Sequence, residues 1–279
     1  MRIWIGTAGV PISSKERSTS GGIKRVSELG LNAFECEFVR GVKMSKEMAE
    51  EVGKLASQLK VKLSVHAPYF VNLCSLEKEK LEASKKRILD TVERAHSMHA
   101  YTIVFHPGYY GKLTEREAFQ KVKEACEDIM DKMRDQGFDD VELGLETTGK
   151  VSQFGTLDEI IEICKEVRGC SIVVDFAHIY ARQAGRIDFS YIFDKLSTLR
   201  LKHLHSHFSG MEFSPVKLTG KGNERRHLNL TDGAKPDYKP LVKEILKRKI
   251  DITLICESPN LEGDALFLKS MFEKAGYEF

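Results

Sequence analysis

Short β-rich runs alternate with amphipathic helical stretches from one end of the chain to the other. The runs predict strands over residues 2–7 (RIWIGT), 33–38 (AFECEF), 61–66 (VKLSVH), 101–106 (YTIVFH), 141–146 (VELGLE), 170–175 (CSIVVD), 201–207 (LKHLHSH) and 252–257 (ITLICE). Their nearly continuous apolar, β-branched character suits strands covered on both faces, as in a parallel sheet. Between them, apolar positions recur at helical spacing over 21–29, 45–59, 76–99, 114–135, 156–167, 188–197, 238–248 and 263–275. Several of these open on cap signals: Ser45 before KEMAEE, Thr114 with Glu117 three residues on, and Thr156 with Glu159 three residues on.

Eight strands alternating with eight helices predict an α/β fold, a parallel sheet closed into a (β/α)8 TIM barrel, with a doubly wound open sheet as its main rival. No linker, composition shift or low-complexity block divides the chain, so residues 1–279 are expected to form a single catalytic domain. The longest stretch without a regular pattern, 209–237, follows the seventh strand. A loop of that length inside a compact domain is usually functional or disordered.

Composition refines this only slightly. The 42% hydrophobic and 30% charged content is ordinary for a globular protein, and 43 Lys and Arg against 41 Asp and Glu leave a net charge of +2. That balance neither demands nor excludes a nucleic-acid partner, because a local basic patch can hide in a neutral total. Six scattered cysteines form no CxxC pair, and no window resembles a signal peptide or membrane span. A reduced, cytoplasmic protein with no membrane partner is expected.

The chemistry accumulates at the strand ends, where TIM barrels build their active sites. Those ends read VHAPY (His66), VFHPG (His106), LETTG (Glu146), VVDFAH (Asp175, His178), LHSHF (His205, His207) and ICESP (Glu257). The period of two along a strand turns His66, His106, Glu146, Asp175 and Glu257 toward the lumen, since each follows an outward apolar or thiol residue. His203, His205 and His207 share one face, with His203 a layer deeper in the core. Carboxylates and imidazoles gathered in a buried place are costly unless they hold cations, and this donor set suits zinc or a similar divalent metal. Taken singly, a strand-end His or Asp more often satisfies a hydrogen bond or caps a helix. Six of them at the same end of successive strands favour a metal centre. Glu35 and Glu37, inward on the second strand, are placed to orient metal-bound histidines. His96 and His99 read as helix surface.

The ordered series SVHAPYFVNL, VFHPG, LETTG, VVDFAH, LHSHFSG and CESP resembles the endonuclease IV family of abasic-site DNA repair enzymes, within the xylose isomerase-like TIM barrel superfamily. The resemblance spans about residues 60 to 260, and the strand–helix rhythm extends it to the whole chain. It implies three Zn2+ per chain, with Mn2+ an alternative at one site. His66, His106 and Glu146 would hold one metal; Glu146, also the catalytic residue, would bridge to a second held with Asp175, His205 and Glu257. The third would take His178 and two ligands from the 209–237 loop. The family pattern there is Asp-x-His, whereas NERRHLNL places Glu224 three residues before His227 and the non-ligating Arg225 two before it. Glu224 fits the Asp role only if this segment is wound differently. His207 likewise stands where the family pattern has Asn.

The resemblance further implies cleavage of double-stranded DNA on the 5′ side of an abasic site, with no obligate protein partner. Clustered divalent cations activate water and offset charge in an in-line displacement at phosphorus, and an abasic nucleotide is cheap to flip from the stack. Arg40, Lys43, Tyr69, Asn72, Tyr109, Tyr110 and the basic GKGNERRH loop with Arg225 are the DNA-binding candidates, with the Ser13–Arg17 segment a weaker one. The alternatives are a TIM-barrel sugar isomerase or epimerase using one or two divalent metals, and a non-catalytic nucleic-acid-binding barrel. The first accounts for Glu146, Asp175, His205 and Glu257 but has no need of His66, His106, His178 and His227 together.

Overall fold

A computed structural model describes residues 1–279. The chain opens with β1 (Ile3–Ala8), α1 (Thr19–Glu28), β2 (Ala33–Glu37), α2 (Lys46–Gln58), β3 (Lys62–His66), α3 (Lys78–Ser97) and β4 (Thr102–Phe105). It continues with β5 (Gly108–Tyr109), α4 (Glu115–Asp135), β6 (Glu142–Glu146), β7 (Gln153–Phe154), α5 (Leu157–Glu166), β8 (Cys170–Asp175), α6 (Phe176–Arg182) and α7 (Phe189–Leu196). It ends with β9 (Leu204–Phe208), β10 (Gly210–Val216), β11 (Lys221–Leu228), α8 (Lys239–Arg248), β12 (Ile252–Cys256) and α9 (Glu262–Lys274).

Eight of the strands close a barrel in the order β1-β12-β9-β8-β6-β4-β3-β2. The pairing is parallel: Ile3 lies beside Ile252, Ile252 beside Leu204, Thr102 beside Glu142 and Leu143 beside Cys170. This is the (β/α)8 barrel that the strand–helix alternation predicts. Burial explains the apolar runs, since every residue of β9 and β12 is buried. The helices bury one stripe each; α4 does so through Val122, Ala125, Cys126, Ile129, Met130 and Met133, at steps of three and four. Thr114 and Thr156 form full capping boxes with Glu117 and Glu159, and the Ser45 side chain accepts from the Met48 N–H. All six cysteines are free, and burial pushes the Cys74 and Cys256 thiols up to about 12, which keeps them protonated and unreactive.

Besides a short antiparallel pairing of β5 with β7, the structure departs from the sequence reading in three places. Residues 176–182 form α6, a helix of seven residues of which six are buried, so no polar face marks it in the sequence. Most of the expected irregular segment 209–237 is the antiparallel hairpin β10–β11. Its turn, residues 217–220, needs left-handed backbone at Leu218 (φ 65°) and Gly220 (φ 67°). The seventh barrel strand begins at Leu204 rather than 201, because a 3₁₀ turn over Ser197–Leu199 and left-handed Arg200 precede it.

The chain divides into two compact units, one of Met1–Phe34, Gly149–Val151 and Val174–Phe279, the other of Glu35–Thr148 and Ser152–Val173. No helix is long and apolar enough to cross a membrane.

Within the second unit, α2 comes so close to the chain after α3 that a Cβ on Gly53 would sit 2.5 Å from the Met98 carbonyl oxygen. Alanine is favoured over glycine in a helix by about 1 kcal/mol, but overpacking against a backbone atom costs about 1–3 kcal/mol. Gly53→Ala should therefore lower the melting temperature in a thermal scan; a rise would show that the two segments separate easily.

Candidate metal centre

In the unit that contains Glu35–Thr148, three strands end on ligand-type side chains. His66 is the last residue of β3, His106 follows β4 and Glu146 is the last residue of β6. Glu146 has no exposed surface. Its Oε2 lies 2.8 Å from His106 Nε2 and 3.3 Å from His66 Nε2. His66 donates from Nδ1 to the Ala67 carbonyl at 2.8 Å, which turns its Nε2 toward the carboxylate. The ligand-type atoms of these three residues all lie within 4.8 Å of one another. Two further acids shape the site: Glu35, which accepts from Ser64 Oγ at 2.7 Å, and Glu37. Burial opposes a charge on His66, yet Glu37, Glu146 and Glu35 together overcome it and raise the imidazole from 6.5 to about 10.

In the other unit the residues come from β8, α6, β9, the β10–β11 hairpin and the residue after β12. Asp175, with no exposed surface, ends β8 and is the N-cap of α6. Its Oδ1 accepts from the His178 N–H at 2.7 Å, and its Oδ2 lies 3.3 Å from His178 Nδ1. The cap thus accounts for the three-residue spacing of acid and imidazole, since N3 of a helix is where an N-cap side chain reaches. It also aims the opposite edge of the His178 ring at Glu224, whose Oε2 lies 3.1 Å from Nε2. The His178 and His227 rings meet edge to face at 5.7 Å, and His227 Nδ1 is 4.0 Å from Glu257 Oε2. His178, His227 and Glu257 form a second group with ligand-type atoms all within 4.8 Å. His207, fully buried, lies 3.2 Å by Nδ1 from Glu257 Oε1, and the His205 ring stands edge-on to it at 5.3 Å. Two imidazoles and a carboxylate in each group are a donor set that fits a divalent first-row ion.

The winding of β11 explains the Glu224–His227 spacing. Met211 pairs with His227 and Glu212 with Arg226, but Phe213 pairs with Glu224, so Arg225 is an extra residue in a bulge. Side chains two apart on a strand share a face, and one inserted residue restores that phase for a pair three apart. Glu224 and His227 consequently both reach His178, while Arg225 stays exposed. The Glu224 carboxylate packs over the Gly149 backbone, where a Cβ would come within 2.1 Å of Oε2, and pairs with Lys150 at 3.3 Å.

The remaining candidates divide between surface and scaffold. Arg40 is exposed. Tyr69 is 60% exposed with its ring 6.0 Å from that of His66, and Tyr109 is 46% exposed. Asn72 is engaged with the scaffold: its Oδ1 accepts from the Cys74 and Tyr109 N–H groups, both at 3.1 Å. Tyr110 donates to Glu159 at 2.6 Å. His203 bonds Thr253 Oγ1 at 2.9 Å and packs edge-on against Trp4, a core role, and His96 pairs with Asp140 at the surface. Gly149, Lys150, Ser209 and Tyr238 escape the sequence reading. Gly149 and Ser209 leave a trace there, as letters of LETTG and LHSHFSG, but nothing in those letters marks a role.

Residues 23–272 match the family described as xylose isomerase-like TIM barrel. An uncharacterized protein of Methanocaldococcus jannaschii is 36% identical over 277 residues, covering 96% of each chain. A protein of Mycoplasmopsis pulmonis named as a probable endonuclease 4 is 27% identical over 210 residues, covering 73% of this chain and 72% of its own. Among solved structures, endonuclease IV from Thermus thermophilus superposes with a TM-score of 0.69 at 20% identity over 98% of both chains. A D-tagatose 3-epimerase-like protein does so with a TM-score of 0.69 at 19% identity, over 98% of this chain and 96% of its own. With its closed parallel barrel and strand-end histidines and acids, the chain belongs to the xylose isomerase-like TIM barrel family and counts endonuclease 4 proteins among its relatives.

Proposed function

We propose that this protein is a zinc-dependent phosphodiesterase of the endonuclease IV type, nicking double-stranded DNA on the 5′ side of abasic sites. The observation that carries the reading is the pair of two-imidazole, one-carboxylate groups, His66–His106–Glu146 and His178–His227–Glu257. The relatives named endonuclease 4 add independent support. A sugar epimerase on the same barrel has no use for so many imidazoles. When bound, divalent ions supply water activation and charge compensation at phosphorus.

The chain's own residues do the rest. Glu146, held without solvent between two imidazoles, is the acceptor for a proton from attacking water, while Asp175, His205 and Glu257 would hold a further ion. Glu224 and His227 serve with His178 as the third ligand set. Arg40, Tyr69, Tyr109 and Arg225 are exposed where they can contact the DNA backbone or wedge beside an unstacked step, with Asn72 positioning Tyr109.

Zinc-loaded protein incubated with a duplex carrying one tetrahydrofuran site, which resists β-elimination, should yield a single nick. An intact duplex together with ketose epimerisation or ketose–aldose conversion would replace this reading with the sugar-enzyme one. Glu146→Gln should leave the far-ultraviolet circular dichroism spectrum unchanged while lowering nicking by about 100-fold or more; full activity would remove Glu146 from the chemistry. The raised His66 sets a pH dependence. A group whose pKa is raised by folding stabilises the fold fully below its unfolded value and loses that contribution as pH climbs through the folded one. Metal-free protein should therefore melt at progressively lower temperature from pH 6.5 to 10, and zinc, taking the proton's place between the acids, should flatten the profile. A flat profile without metal would show that His66 carries no charge in the metal-free state.

A further inference from the structure

His227 is held from behind by a chain of buried groups that the ligand set does not include. Its Nδ1 lies 2.8 Å from Ser209 Oγ, and Ser209 has no exposed surface. The Ser209 peptide is in turn clamped by a single side chain from 29 residues away: the Tyr238 hydroxyl donates to the Ser209 carbonyl at 2.9 Å and accepts from its N–H at 3.3 Å. Tyr238 is 1% exposed, with its ring against Phe208 at 5.7 Å and Phe189 at 6.1 Å. Burial, with Asp175 nearby, holds the phenol well above its ordinary range, so it remains a donor.

A neutral imidazole has one N–H and one lone pair, and the group bonded to one nitrogen decides which nitrogen can ligate. A serine hydroxyl can take either role toward an imidazole nitrogen; when Ser209 Oγ accepts from Nδ1–H, the lone pair of His227 lies on Nε2, on the far side of the ring from the serine. We propose that Ser209, fixed by Tyr238, is a positioning residue that sets the tautomer and aim of His227, so that Nε2 coordinates the divalent cation shared with His178 and Glu257. The inference rests on the metal-centre reading above. It differs in making the affinity of one ion depend on a serine that bonds His227 and on a tyrosine that holds that serine's peptide.

The test is cobalt(II) and zinc uptake by the full chain in competition with a chromophoric chelator. Wild type is compared with His227→Ala, Ser209→Ala and Tyr238→Phe, with the metal-free melting temperature measured alongside. Ser209→Ala should weaken one ion per chain by about 10–100-fold and shift the cobalt ligand-field spectrum, leaving the other ions unaffected. Tyr238→Phe should weaken the same ion, and it decides the matter alone if Ser209→Ala does not fold. Loss of that ion in His227→Ala, combined with wild-type affinity and spectrum in Ser209→Ala or, failing its folding, in Tyr238→Phe, overturns the inference and spares the metal centre. Wild type taking up no divalent ion, or His227→Ala keeping every ion, overturns the metal-centre reading itself.

Discussion

Two carboxylates with no exposed surface, Glu146 and Asp175, govern the arrangement around them. An unmatched charge at such a depth costs several kcal/mol, so each must be surrounded by donors or cations. Around Glu146 the protein supplies His106 and His66, and the neighbouring acids keep His66 protonated well above its ordinary range. Around Asp175 it supplies the first turn of α6 and the ring of His178. A divalent ion and a proton are interchangeable answers to the same electrostatic demand. That equivalence lets the same set of side chains be stable without metal.

Small local devices aim these groups. A backbone carbonyl orients His66, a helix cap orients His178 and a serine hydroxyl meets His227. For His66 and His178 one ring nitrogen is engaged locally and the other faces a carboxylate. The bulge at Arg225 belongs with these devices. It shifts the phase of β11 by one residue, so that Glu224 and His227 face the same neighbour while the arginine stays in solvent. A different spacing in the chain thereby reaches the geometry that a two-residue spacing gives on an unbroken strand.

The legible parts of the site were those that repeat. Apolar runs ending in His or acid recur from the third strand to the last of the barrel, and a pattern that recurs at the same end of successive strands is visible without coordinates. Capping boxes are equally visible, because Thr114–Glu117 and Thr156–Glu159 complete themselves within four residues. The α6 helix was hidden by its own burial, since FAHIYAR shows no polar face to give it a period. The scaffold role of Asn72, bonded to a residue 37 positions away, was hidden because the same letters suit an exposed loop contact.

The sequence by itself determined the fold class, the positions of the barrel strands and the strand-end side chains that crowd together, because periodicity and strand polarity are properties of one segment at a time. Only the tertiary structure decided that most of the 209–237 stretch is a hairpin, that a bulge sets the phase of Glu224 and His227, and that Ser209 and Tyr238 stand behind His227. Those features depend on which residue of one strand lies opposite which residue of another. Register across a hairpin is settled by cross-strand bonds and packing, which leave no period in the chain.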